Sequence, residues 1–203
     1  MEALIQLLLS IAPMSEGLLA HLRTIIKKTE YKKGEFILRE GDVCNSIFYI
    51  RRGLVRSFYR LKGKEVTNWF MKEGDICISV LSFLRRVASA DSIMALEILE
   101  CWGITHGELE EIYRLFPEFN VHGRIITGEY YCRSEERNIA NKRQEKEDKY
   151  DQLMAKDADL VGRVNHTHMA SFLDVSDRTY RDIRKGYQAR KRLELKRQRS
   201  KAG

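Results

Sequence analysis

Five glycines at positions 34, 41, 53, 63 and 74 divide the stretch after Tyr31 into short runs, and this spacing constrains the fold more than any other feature. Between them lie "EFILR", "SIFYIR", "LVRSFYR" and "EVTNWF", rich in β-branched and aromatic residues. Short strands separated by turn pairs such as Gly41-Asp42 and Gly74-Asp75 predict an antiparallel barrel or jelly roll. "SIMALEIL" and "CWGIT" read as a final strand pair that closes it. Ahead of the roll, "EALIQLLLSIA" and "SEGLLAHLRTIIKK" carry helical periodicity. The first is apolar, but it has Glu2 where a signal peptide wants a cation. Pro13 also ends it short of a membrane span, so a helix laid on the domain of a cytoplasmic protein is expected.

From His106 the pattern turns helical. "HGELEEIYRLF" places Leu109, Ile112, Tyr113 and Phe116 on one face. After Pro117 a longer helix carries Val121, Ile125, Gly128, Cys132 and Ile139 at spacings of three, four and seven. Glycine inside a helix costs about 1 kcal/mol against alanine unless close approach needs it. A seam between two copies of the chain accounts for both the stripe and the glycine, and the alternative is a helix packed on its own roll. The following "NKRQEKEDKYDQLMAK" reads as a solvated helix or linker. Three parts result: a β-roll with its N-terminal helices over 1–117, a dimerisation helix over 118–142 and a last domain over 143–203.

"NHTHMASFLDVSDRTYRDIRKGY" is the most specific segment. Met169, Ala170 and Leu173 share a helix face, and Asp174-Val175 make a tight turn. Ser176 is a good N-cap for a second helix, with Asp177 favourable at its positive end. Tyr180 and Ile183 pack back, and small Ala170 permits a close crossing. This is a helix-turn-helix whose second helix fits a DNA major groove. Its outward residues are Arg178, Thr179, Arg181, Asp182, Arg184 and Lys185. Arginine can bond guanine bidentately, aspartate can accept from cytosine, and lysine and threonine can hold phosphates. A formal charge of +7 suits a polyanionic partner. The basic tail "ARKRLELKRQRSKAG" reads either as a phosphate-tracking arm or as a disordered solubilising end.

Cys44, Cys77, Cys101 and Cys132 form no CxxC pair and read as reduced thiols, so no metal and no cofactor is expected. No nucleophile–base pair or phosphate-binding loop points to an enzyme.

Together these segments resemble the Crp/Fnr family of bacterial transcription regulators, from about Ile25 to Tyr187. The resemblance is nearest to the branch common in Bacteroidetes, through "KKGEFILREGD", "FYIRRGLVRSFY", "SFL", "ALE" and "ASFLDVS" with its following Ile-Arg-Lys. It implies an α+β chain with a cyclic-nucleotide-binding-like β-roll, a long dimerisation helix and a C-terminal winged helix-turn-helix. It also implies a homodimer on two-fold symmetric double-stranded DNA that contacts RNA polymerase. Cyclic-nucleotide-binding members carry a Gly-Glu pair for the ribose and an arginine for the phosphate. Laid on this chain without gaps, those positions are Ile78, Ser79 and Ser89, followed by Ala90 and Asp91. Both charged anchors are replaced, so loss of cyclic-nucleotide binding is expected. The alternative is a β-roll that senses another small molecule, held by Phe83 and Ile93.

Overall fold

The computed structural model describes residues 1–143 and 145–201. Its helices and strands follow in the order α1 (Glu2–Ile11), α2 (Glu16–Ile25), β1 (Lys27–Tyr31), β2 (Phe36–Leu38), β3 (Ser46–Arg52), β4 (Val55–Leu61), β5 (Lys64–Met71) and β6 (Ile76–Cys77). Then come α3 (Val80–Arg85), β7 (Ser92–Ala95), β8 (Leu99–Thr105), α4 (His106–Leu115) and α5 (Phe119–Arg143). The last are α6 (Lys146–Lys156), α7 (Ala158–Arg163), α8 (His166–Phe172) and α9 (Asp177–Lys201). Two compact units divide the chain, Met1–Arg133 and Ser134–Gly203.

The first unit is the expected antiparallel roll, built from two four-stranded sheets in the orders β1-β8-β3-β6 and β2-β7-β4-β5. Lys62 and Gly63 both have positive φ, which suits the tight hairpin joining β4 to β5. Inside β8, Gly103 lies so close to β3 that a Cβ there would run into the Phe48 ring and the Ile47 carbonyl. Leu38, Ile50, Val55, Met71, Phe83, Ile93 and Leu99 form the core with Cys44, Cys77 and Cys101. Burial pushes the Cys77 and Cys101 thiols up, the latter to about 12, so both stay protonated and unreactive.

Two local expectations change. The second helical pattern ends at Ile25, and Lys27 and Lys28 begin β1 instead of closing α2. Lysine favours helix over strand, and pairing of β1 with β8, such as Thr29 opposite Cys101, overrides that preference. The final two strands also do not pair with each other. β7 lies between β2 and β4, while β8 lies between β1 and β3. Crossing from one sheet to the other is how a jelly roll closes, and adjacency in sequence does not reveal it.

Against the roll, Thr105 and Glu108 cap α4 reciprocally: the Glu108 amide donates to Thr105 Oγ1 at 3.3 Å and the Thr105 amide to Glu108 Oε2 at 2.7 Å. Ile5, Leu8, Leu18 and Leu22 of the N-terminal helices pack with Ile112 and Phe119 in a satellite core. No helix is long and apolar enough to cross a membrane among the described residues.

The second unit is helical. α6 is no mere linker: Tyr150 and Leu153 are buried, and the Tyr150 ring centroid lies 5.9 Å from Tyr180 and 5.4 Å from Tyr187. Two apolar positions three residues apart fix a helix whose other faces are charged. The expected wing has no strands among the described residues. α9 continues as one helix to Lys201, so the basic tail is helical as far as that residue, and Ala202 and Gly203 lie outside the described residues. "ARKRLELKRQR" consists of good helix formers without the Gly or Asn pair a hairpin needs.

Candidate nucleic-acid interface and ligand cassette

The helix-turn-helix is assembled as its sequence predicts. Asn165 caps α8, accepting from the His168 amide at 2.8 Å. Asp174 takes the left-handed turn at φ 56, and the Val175 amide closes it on the Ala170 carbonyl at 3.0 Å. Ser176 Oγ then accepts from the Thr179 amide at 3.1 Å and starts α9. Met169, Ala170, Leu173, Tyr180 and Ile183 are all buried, so α8 and α9 pack through the predicted residues.

The opposite face of α9 is open. Arg178, Arg181, Asp182 and Lys185, at i, i+3, i+4 and i+7, are exposed together. Arg181 Nε donates back to the Asp177 carbonyl at 3.1 Å, which leaves its terminal nitrogens directed away from that bond. Two predicted members stand at the flanks instead. Thr179 Oγ1 is 2.8 Å from Ser176 Oγ at the helix cap, and Arg184 Nη1 is 2.6 Å from His166 Nε2. The face can therefore present bidentate donors and one acceptor to base edges.

In the first unit, the expected ligand positions close on one another. Ser79 Oγ and Ser89 Oγ are 3.0 Å apart, and Ser89 Oγ also donates to the Asp91 carbonyl at 2.8 Å. Ser89 is only 4% exposed, Ile78 packs against the core, and Ala90 is on the surface. The Asp91 carboxylate accepts from Asn68 Nδ2 at 2.9 Å and Ser57 Oγ at 3.2 Å. Arg86, left-handed at φ 56, donates to the Cys44 carbonyl at 2.7 Å and to Asn45 Oδ1 at 2.8 Å. It ties the end of α3 to the roll, while Arg85 stays exposed. Phe83 does not face a ligand space: it is buried beside the His106 ring, with centroids 5.0 Å apart.

A cavity of about 320 Å³ opens elsewhere in the roll, between Tyr31, Phe36, Arg39, Phe48, Cys77 and Ile93. Of the four expected cassette residues, only Ile78 lines it. Burial pushes the Tyr31 phenol up to about 12, so it is a neutral hydroxyl at physiological pH. Arg39 lies over the Phe36 ring, 3.9 Å from its centroid.

Along α5, within the first unit, two stripes diverge. Phe119, His122 and Ile126 face the satellite core, with His122 Nε2 3.1 Å from the Leu8 carbonyl oxygen and 3.2 Å from that of Ala12. Further on, the Ile76 amide donates to Tyr130 Oη at 2.5 Å, and Arg133 pairs with Asp75 at 3.0 Å. The sequence does not reveal this docked stripe because its polar members, His122, Tyr130 and Arg133, do not register as an apolar pattern. The stripe it does reveal, Val121, Ile125, Gly128 and Cys132, is exposed, and a Cβ on Gly128 would meet only open space. Packing on the chain's own roll therefore does not account for it.

Comparison with known proteins agrees with this geometry. Residues 28–115 match the family model described as cyclic nucleotide-binding domain. No curated protein matches the chain in sequence. FixK2 from Bradyrhizobium japonicum has a similar structure at TM-score 0.71 and 15% identity, over 82% of this chain and 86% of that one. A transcriptional regulator assigned to the crp/fnr family from Eubacterium rectale gives 0.69 at 13% identity, over 87% and 85%. CLP from Xanthomonas campestris, a global regulator described as c-di-GMP responsive, gives 0.67 at 14% identity, over 86% and 92%. Over 82–87% of its length the chain shares the fold of FixK2 and of the Eubacterium rectale regulator.

Proposed function

We propose that the protein is a sequence-specific, DNA-binding transcription regulator that acts as a homodimer. The observation that carries this reading is the exposed face of α9. Arg178, Arg181, Asp182 and Lys185 stand opposite the residues that pack α9 onto α8. In this reading Arg178 and Arg181 donate to base edges, Asp182 accepts from cytosine, and Lys185 holds a phosphate. Thr179 and Arg184, at the flanks, contact the backbone. The exposed Val121–Ile139 stripe pairs with its copy and sets two half-sites about one helical turn apart. Contact with RNA polymerase, which the family resemblance implies, and action in the cytoplasm belong to the same reading.

Replacing Arg181 by alanine is expected to cost roughly 1–3 kcal/mol at particular base pairs and to relax selectivity there. Equal weakening on every duplex, measured by competition with single-base variants of the preferred site, would remove the base-reading role.

The β-roll in this account no longer takes a cyclic nucleotide. A cyclic phosphate needs a charge-assisted partner when it leaves water, and Ser79 and Ser89 supply hydroxyls already bonded to each other. One observation favours a second reading, in which the roll senses a different small molecule: the cavity of about 320 Å³ reaches the size range of ligand pockets. Its apolar side chains and Arg39 suit a small apolar or weakly acidic compound, beside a neutral Tyr31 hydroxyl and the polar Asp42, Asn45 and Ser46. A ligand present at a hundredfold excess over its Kd stabilises by about 2.7 kcal/mol. A thermal-shift series of cyclic nucleotides and aromatic carboxylates is expected to be flat for the former. A rise with cyclic AMP would overturn the account of the cassette.

A further inference from the structure

α9 is far longer than a base-reading helix requires. Its 25 residues span about 37 Å at 1.5 Å per residue. The part that packs on α8 and carries the proposed reading face ends near Tyr187. Beyond it the helix continues with Arg190, Lys191, Arg192, Lys196, Arg197 and Arg199 against one acid, Glu194. Cations in the last turns suit the negative end of any helix. That effect, however, asks for no particular face, and three of the six, Arg192, Lys196 and Arg199, share one face, while Arg190 and Arg197 project from another.

At 3.6 residues per turn, Arg178, Arg181, Lys185, Arg192, Lys196 and Arg199 fall within an arc of about 60°. All six are exposed. Glu194 lies on the far side of the helix, where Lys191 Nζ pairs with it at 3.0 Å. Arg190 also points away, and its Nη2 holds both oxygens of Asp151 on α6, at 2.6 and 2.8 Å. That clamp fixes the phase of α9 past the helix-turn-helix and keeps Glu194, Lys191 and Arg190 off the ridge.

We infer that the C-terminal half of α9 is a second DNA contact, in which Arg192, Lys196 and Arg199 grip backbone phosphates outside the half-site read by Arg178, Arg181 and Lys185. This rests on the proposed DNA-binding role of the N-terminal half. A straight helix of this length cannot stay inside a groove about 12 Å wide, and on leaving it crosses a phosphate ridge. The residues on its DNA-facing side at that point are the three cations. An anionic membrane is the weaker match. A surface helix sets a continuous apolar face against its basic one, whereas the only large apolar residues after Ala189, Leu193 and Leu195, project to nearly opposite sides.

The test is the full-length triple variant R192Q/K196Q/R199Q, compared with the unaltered chain. Each phosphate left without its cation makes the slope of log affinity against log salt less steep by roughly 0.9, so six cations in a dimer account for up to about 5. The expected result is a shallower slope and loss of protection on the flanking backbone, with the same sequence motif enriched. An unchanged slope and footprint would overturn the inference, as would a changed motif. Loss of binding to vesicles of anionic phospholipid without loss on DNA would overturn it too. If the unaltered chain enriches no motif, the base-reading proposal fails on its own, and the salt slope on arbitrary duplex still decides the ridge.

Discussion

Ile125→Glu is expected to leave the protein monomeric at micromolar concentration and to weaken binding to a two-fold symmetric site by about a hundredfold or more. The size follows from valency, because joining two half-site readers raises affinity by about 10²–10⁴ without new contacts. Ile125 is 39% exposed although apolar, and it stands in the middle of the stripe formed by Val121, Gly128 and Cys132. The same helix is fixed on its other side by His122, Ile126, Tyr130 and Arg133, so rotation cannot bury the stripe within one chain. Two copies related by a two-fold axis bring equivalent seam positions together, and a glutamate there meets its own copy. Thr127→Glu, exposed on a flank of α5, is the control and should remain dimeric. Sedimentation equilibrium reads both variants. An Ile125→Glu protein that still sediments as a dimer would remove α5 as the interface.

The second large effect concerns Tyr180, the most deeply buried of the α9 residues that pack on the rest of its unit. Its side chain is fully buried, with its ring centroid 5.9 Å from Tyr150 and 5.5 Å from His166. Tyr180→Ala should destabilise the unit by about 3–5 kcal/mol, as other large aromatic truncations do, and abolish DNA binding with it. Tyr180→Phe should behave in the opposite way. The buried Oη has no hydrogen-bond partner among the described residues, and a buried unpaired hydroxyl costs about 1–3 kcal/mol. The phenylalanine variant is therefore expected to melt at or above the temperature of the unaltered protein, with DNA affinity retained. A decrease in stability of more than about 1 kcal/mol in Tyr180→Phe would show that the hydroxyl is bonded.

What the sequence disclosed and what it hid follow from the range of the interactions concerned. The glycine-punctuated strands and the helix-turn-helix are specified locally: Gly63 and Asp174 supply the backbone conformations that a hairpin and a helix turn demand, and both stand where predicted. β1 was hidden because its identity depends on β8, some seventy residues away, and not on its own lysines. The sheet assignment of β7 and β8 was hidden for the same reason. The cassette positions Ser79 and Ser89 do meet, but only the folded chain shows their hydroxyls bonded to each other. Phe83 was misplaced because a hydrophobic residue beside a candidate pocket and one in the core look alike in sequence. Helix phase, by contrast, is legible at any length, and the exposed stripe of α5 and the cationic ridge of α9 were both readable from it once the helices' extent was known.

The central claim, that α9 reads base sequence as part of a symmetric dimer, is tested most directly by selecting bound sites from random duplex DNA with the purified full-length protein. The expected pool converges on a two-fold symmetric motif whose half-sites are centred about 34–36 Å apart. A retained pool that shares no motif, held only by charge and released evenly as salt rises, would contradict it.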